Sequence, residues 1–152
     1  GYVEPIGRGI KIHMVPAEHS SSVDLNVSFL KGKFRESIRH ISGGEAAGYV
    51  IELPDGPTIY HTGDTGVFGD MRLIGEFFEP DIVLICIGGV FTMDPVGAAY
   101  AVRELVQPKS AIPIHYGTYP IINRTPEEFI EALDGADVEV IHLQPGESRT
   151  FR

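Results

Sequence analysis

A layered α/β domain, with helices packed on a sheet, is the fold class this sequence predicts. Three observations carry that reading. Residues 49–53 and 58–62 flank the turn-forming cluster Pro54-Asp55-Gly56-Pro57, so they read as a hairpin. Residues 81–87 form a near-continuous apolar run, as expected of a strand covered on both faces. Beyond it, segments of helical spacing alternate with apolar segments of strand length.

The elements follow in chain order. Ile10, Ile12 and Met14 alternate with Lys11 and His13, the period-two pattern of a strand. Residues 31–44 are the one compositional break: Lys31, Lys33, Arg35, Arg39 and His40 cluster there before Gly43-Gly44. This stretch reads as an exposed loop, either a solvated basic excursion or a flap that meets an anionic substrate. Val67, Met71, Ile74 and Phe78 fall at helical spacing and give one apolar helix face. After the 81–87 strand, Asp94-Pro95 supplies an N-cap and a first-turn proline. The helix opened there turns Ala98, Ala99, Val102, Leu105 and Val106 inward. Residues 110–115 make another short apolar strand, and Thr125-Pro126-Glu127-Glu128 is a capping box. The following helix is expected to bury Phe129, Ile130 and Leu133 and to stop at Gly135. Residues 138–143 and 148–151, around Pro145-Gly146, close the chain as strands.

A chain of 152 residues fits one domain or a large piece of one. At that size roughly two-thirds of the unfolded surface is hidden on folding. No apolar run approaches the ~20 residues that span a bilayer, so no membrane role is expected. No basic leader precedes an apolar stretch, so no secretory signal is visible. The sequence opens on Gly1-Tyr2-Val3 without Met, and a removed upstream segment is the expectation. The single cysteine, Cys86, sits in the apolar run and reads as a buried thiol, which suits a reducing cytoplasm. The net charge of −9 disfavours a sequence-independent grip on nucleic acid.

Three segments share a pattern in which a strand runs into a loop with a metal-type ligand at the junction. They are Met14-Val15-Pro16-Ala17-Glu18-His19-Ser20, Tyr60-His61-Thr62-Gly63-Asp64-Thr65-Gly66 and Ile112-Pro113-Ile114-His115-Tyr116-Gly117-Thr118. Strand ends present side chains into a shared cleft with little positional error. Glycines beside Asp64 and His115 allow tight turns and close approach of a ligand. Two imidazoles and a carboxylate suit Zn²⁺, Mn²⁺ or Fe²⁺. On residues alone, each histidine has an equally simple reading as a hydrogen-bonded structural group at a strand end. The Gly63–Gly66 segment lacks the Gly-Lys-Ser/Thr ending of a phosphate loop, and no Ser-His-Asp nucleophile elbow occurs.

In this order and at these separations, the three segments resemble the later motifs of the metallo-β-lactamase superfamily. Thr62-Gly63-Asp64-Thr65-Gly66, then Gly88-Gly89-Val90-Phe91-Thr92-Met93, then Ile114-His115-Tyr116-Gly117-Thr118 resemble a branch of metal-dependent hydrolases related to ascorbate-6-phosphate lactonase. The resemblance covers nearly the whole chain apart from residues 31–42. It implies the C-terminal portion of an αββα sandwich and a single, incomplete metallo-hydrolase domain over residues 1–152 that lacks its N-terminal strands. It implies two divalent metal ions, Zn or Mn, with His19 completing the first site, Asp64 bridging both and His115 serving the second. The implied reaction is hydrolysis of a lactone, ester or phosphoester by a metal-bridging hydroxide.

One departure stands out. The family's upstream His-x-His-x-Asp-His motif is absent, and His13, His40, His61 and His142 are dispersed with no His-x-His pair. Three ligands cannot close two sites. The expected partner is therefore a complementary N-terminal segment or chain carrying that motif, with activity only in its presence. Open apolar sheet edges and faces are expected to make the chain associate with that segment or with copies of itself. A nuclease of the same superfamily and a non-catalytic scaffold half remain alternative functions. Around the ligands, His61 is either a group that orients the Asp64 loop or a satisfied strand histidine. Thr92 and Met93 sit on the loop after the central strand, where α/β sheets expose substrate groups. Asp94 stands where the branch implies glycine, and its simpler role is the helix N-cap. Tyr116 and Thr118, beside His115, are candidates to hydrogen-bond a small-molecule substrate or to pack the loop.

Overall fold

The structure is a computed structural model that describes residues 1–24 and 40–151. Its strands are β1 (Tyr2–Val3), β2 (Lys11–Pro16), β3 (Ser22–Asp24), β4 (His40–Ser42), β5 (Ala47–Glu52), β6 (Thr58–His61), β7 (Ile82–Cys86), β8 (Ser110–Ile114) and β9 (Glu139–Val140). Its helices are α1 (Met71–Phe78), α2 (Pro95–Tyr100), which runs on as a π-helix over Ala101–Val106, and α3 (Pro126–Leu133), with a 3₁₀ turn at Pro120–Ile122. Seven strands make one mixed sheet in the order β1-β2-β5-β6-β7-β8-β9, while β3 and β4 pair separately.

The sheet has two halves with different causes. β2, β5 and β6 form an antiparallel meander, closed by the predicted turn at residues 54–57. β6 to β9 are parallel, so each step needs a crossover, and α1, α2 and α3 supply them. All three crossovers advance in one direction across the sheet. Their right-handedness therefore puts all three helices on the same face. Val15, Val50, Tyr60, Val83, Ile85 and Ala111 point to that face and are buried against Met71, Ile74, Ala98, Val102, Leu105 and Phe129.

Alternation sends the next residue of each strand to the opposite face. There the register aligns Met14, Tyr49, His61, Leu84 and Ile112 in one row across five strands. Ile12, Ile51 and Ile59 form a parallel row beside it. Met14 is 67% exposed and Tyr49 44%, and Ile12, Ile51, Ile59, Leu84 and Ile112 are half-buried. This second face is apolar and only partly covered among the described residues.

The α/β class and the main elements agree with the sequence reading. Asp94 caps α2, its carboxylate accepting from the Gly97 N–H at 2.8 Å. Thr125 and Glu128 form the capping box of α3. Several expectations are corrected. Val67 precedes α1 as an exposed loop residue, and Ile130 is 49% exposed because α3 turns only a narrow stripe of Phe129 and Leu133 inward. The expected strand at 138–143 shrinks to β9, and residues 148–151 are not a strand. β7 is not fully covered on its second face, where Leu84 stays half-buried. Of the loop read over 31–44, residues 31–39 lie outside the described residues, and His40–Ser42 pairs with β3 instead of looping.

Candidate metal centre

Asp64 and His115 come together at the C-terminal ends of β6 and β8, as the strand-to-loop pattern requires. His115 Nε2 lies 3.4 Å from Asp64 Oδ2. The side chains are 30% and 53% exposed, so both donors are reachable from solvent. Two bonds of ~2.1 Å to one tetrahedral cation hold their donors about 3.4 Å apart, so this pair fits a shared divalent ion. His115 adopts a left-handed backbone (φ 54°), which is uncommon for a non-glycine residue.

His19 sits on the neighbouring loop after β2. Its Nδ1 lies 2.6 Å from the Ser20 carbonyl oxygen. A carbonyl only accepts, so Nδ1 carries a proton and Nε2 is the nitrogen left to meet a metal. Backbone hydrogen bonds join this loop to the Asp64 loop: Gly66 N–H donates to the Glu18 carbonyl at 2.8 Å. Glu18 N–H donates to Thr65 Oγ1 at 2.9 Å. The structure thus pairs Asp64 with His115 and stitches the His19 loop alongside. Among the described residues, however, no group of three or more His, Cys, Asp or Glu side chains is gathered tightly enough to hold an ion.

The Asp64 turn has its own scaffold. Gly63 N–H donates to His61 Nδ1 at 3.0 Å, so His61 braces the turn and carries its proton on Nε2. Gly63 has φ +67°, and a Cβ there would lie 2.3 Å from the Ala47 carbonyl oxygen, so only glycine fits. Beneath the turn, Thr62, Thr65 and Cys86 are fully buried. The Cys86 thiol donates to the Thr65 carbonyl at 3.4 Å, and Thr62 Oγ1 lies 3.8 Å from its sulfur. Sequence reading treated Thr65 as part of a motif and Cys86 as inert filling. A small polar residue between Asp64 and Gly66 was the one signal available for Thr65.

The remaining candidates separate clearly. Met93 is 3% exposed and belongs to the core, so its side chain is not the expected substrate contact. Its main chain instead ties the loop after β7 to the Asp64 turn, Met93 N–H donating to the Thr65 carbonyl at 2.9 Å. Thr92 Oγ1 is buried and has no hydrogen-bond partner among the described residues. Tyr116 is half-buried against the core, its ring edge-on to His142 at 6.2 Å. Burial, followed by the nearby Glu127 carboxylate, raises the Tyr116 phenol above its usual range. Thr118 is exposed on the loop surface. On the loop after β7, Val90 holds φ 60° while Phe91 N–H donates to the Gly89 carbonyl at 2.7 Å. This is a three-residue turn in its strained hand, centred on a β-branched residue.

Comparison with known proteins places this chain among relatives. A family model described as beta-lactamase superfamily domain matches residues 3–116. A UPF0173 metal-dependent hydrolase of Cupriavidus necator is 53% identical over 153 aligned positions, covering 99% of this chain and 51% of its own length. A counterpart from Methanosarcina barkeri is 47% identical over 142 positions, covering 92% of this chain and 56% of its own. The solved structure of Igni18, a novel metallo hydrolase from the hyperthermophilic archaeon Ignicoccus hospitalis, superposes with a TM-score of 0.80 at 33% identity. It covers 100% of this chain and 58% of that one. An isothiocyanate hydrolase from Delia radicum gut bacteria shares the fold, with a TM-score of 0.71 at 19% identity. The chain spans about half the length of the curated relatives it matches.

Proposed function

Since this chain belongs to the beta-lactamase superfamily domain family, we propose that it forms part of a metal-dependent hydrolase acting on a lactone, ester or phosphoester. The observation that carries the reading is the facing of Asp64 and His115 at 3.4 Å from the ends of two different strands. The relatives named metal-dependent hydrolase support it over nearly the whole chain.

In this reading His19, Asp64 and His115 would hold divalent cations, zinc or manganese. Such a metal would supply Lewis acidity toward the substrate's carbonyl or phosphoryl oxygen and would lower the pKa of a water. The protein's own contribution is rigidity. His61 and Gly63 fix the angle at which Asp64 leaves its strand. The Ser20 carbonyl holds the His19 tautomer. Solvent-exposed Asp64 leaves room for a substrate to approach from the loop side.

Among the described residues the donors gathered here are too few for two ions, so in this reading a complementary segment carrying His-x-His-x-Asp-His would complete the site. The half-covered apolar face of the sheet, from Met14 to Ile112, supports that partner, since two sheets stack through such faces. Elemental analysis after dialysis against zinc tests the proposal, on the chain alone and after mixing with the complementary segment. Near-stoichiometric metal only in the mixture, with turnover abolished by Asp64→Ala, is the expected result. Metal in neither sample would leave a scaffold without chemistry.

A further inference from the structure

We propose that Thr65 is a positioning residue whose hydroxyl locks the His19 loop to the Asp64 loop and so sets the spacing of the two ligands. The inference rests on reading His19 and Asp64 as metal ligands.

Thr65 lies at a junction of four segments. Its Oγ1 accepts from the Glu18 N–H at 2.9 Å and donates to the Gly66 carbonyl at 2.8 Å. Its carbonyl accepts from the Met93 N–H at 2.9 Å and from the Cys86 thiol at 3.4 Å. The residue is fully buried. Glu18 immediately precedes His19, and Thr65 immediately follows Asp64, so each Oγ1 bond acts one residue away from a ligand. The bonds from the Met93 N–H and the Cys86 thiol end on the Thr65 main-chain carbonyl and survive any side chain at 65. So does the Gly66 N–H bond to the Glu18 carbonyl. Only the hydroxyl is specific to threonine or serine. Without it, one backbone bond is left where two links now fix both the distance and the rotation between the loops. A single hydrogen bond leaves a hinge; groups bonded to a ligand itself affect metal affinity by about 10–100-fold, and a link one residue removed acts at the lower end of that range.

Thr65→Val keeps shape and burial but deletes the hydroxyl, and Thr65→Ser keeps the hydroxyl and deletes a methyl. Amide exchange is read by NMR on the 152-residue chain. Affinity for Co²⁺ is read from its visible absorption, alone and with the complementary segment present. In Thr65→Val the Glu18 amide is expected to exchange roughly tenfold faster while β7 and β8 amides are unchanged. Cobalt affinity is expected to fall about tenfold or more, and Thr65→Ser to restore both. Cobalt affinity in a folded Thr65→Val protein close to that of the wild type would overturn the inference. If Thr65→Val does not fold, the wild type decides: cobalt binding must slow exchange at Glu18, and an unchanged rate overturns the proposal. Asp64→Ala separates the two levels. Wild-type cobalt affinity in Asp64→Ala removes the ligand reading and the inference with it. Lost affinity there with none lost in Thr65→Val removes the role of Thr65 alone.

Discussion

At the scale of single residues, the candidate centre is set by backbone contacts that admit no side chain. Gly88 is the sharpest case. A Cβ there would lie 2.3 Å from the His115 carbonyl oxygen and 3.3 Å from its Nδ1. Main chain opposes main chain, so no rotamer change relieves the clash. The loop after β7 or the left-handed His115 itself must move. Gly88→Ala is therefore expected to cost about 2–3 kcal/mol in urea unfolding and to weaken cobalt binding more than its stability loss explains. Unchanged cobalt affinity in the folded variant would mean that His115 is not held by this contact. Some of this was readable beforehand. Asp64, His115 and the glycines around them stood out as strand-end donors beside flexible turns. Thr65 and Cys86 did not, because their importance lies in which atoms they meet across the fold, and spacing along the chain carries no such information.

At the scale of elements, the parallel strands are fastened at the end opposite the candidate centre by Asp81. Its Oδ2 accepts from the Thr58 N–H at 2.9 Å, and Lys109 Nζ lies 2.6 Å from Oδ1. Its main chain pairs with Thr58 and Ser110, so one residue joins the starts of β6, β7 and β8. The Lys109 ammonium, helped by the Thr58 N–H, holds the Asp81 carboxyl below its usual range against the opposing effect of burial. A depressed folded value means the contribution is fully present above the unfolded value of ~3.9 and is lost as pH falls through the folded value. Lys109 is 83% exposed, so solvent screens the ion pair and its contribution to stability is small. Asp81→Asn keeps an oxygen that can accept from the Thr58 N–H and removes the charge, so it should cost under about 1 kcal/mol at about pH 6, and the gap to wild type should narrow as pH falls below about 3.9. A gap that stays constant across that range would show that the charge of Asp81 does nothing. The elements that sequence reading placed well were those with local causes: the capping box at Thr125, the Asp94 cap and the turn at residues 54–57. β9 was overextended for a non-local reason. Ser110 N–H faces β7, bonding the Asp81 carbonyl, so by alternation Pro113 offers its nitrogen toward β9. Proline has no N–H, and the ladder stops at Val140. The shift of α2 into a π-helix at Ala101 had no periodic signal, since Ala101, Val102, Leu105 and Val106 are buried all the same.

At the scale of the molecule, the helices protect one face of the sheet, and the other is only partly covered among the described residues. The row Met14, Tyr49, His61, Leu84 and Ile112 crosses five strands, and a contiguous apolar face of that breadth favours association in water. Stacking a second sheet on it, as the proposed complementary segment would, shields Leu84 and Ile112 from water. Met14 and Tyr49 are directly opposite each other on β2 and β5 and are the most exposed members of the row. Replacing both by Glu puts two like charges at the centre of any interface there. The isolated fold loses little, because exposed substitutions usually cost within about 0.5 kcal/mol each, with a further cost for the facing charges. Light scattering should report assemblies of the wild-type chain that shrink to monomers in Met14→Glu/Tyr49→Glu. Co-elution of the variant with the complementary segment should also be lost, together with the metal that the mixture retains. If the double variant still assembles and still recruits metal as the wild type does, the partner sits elsewhere, on the sheet edges or the helical layer, and the stacked-sheet arrangement is wrong.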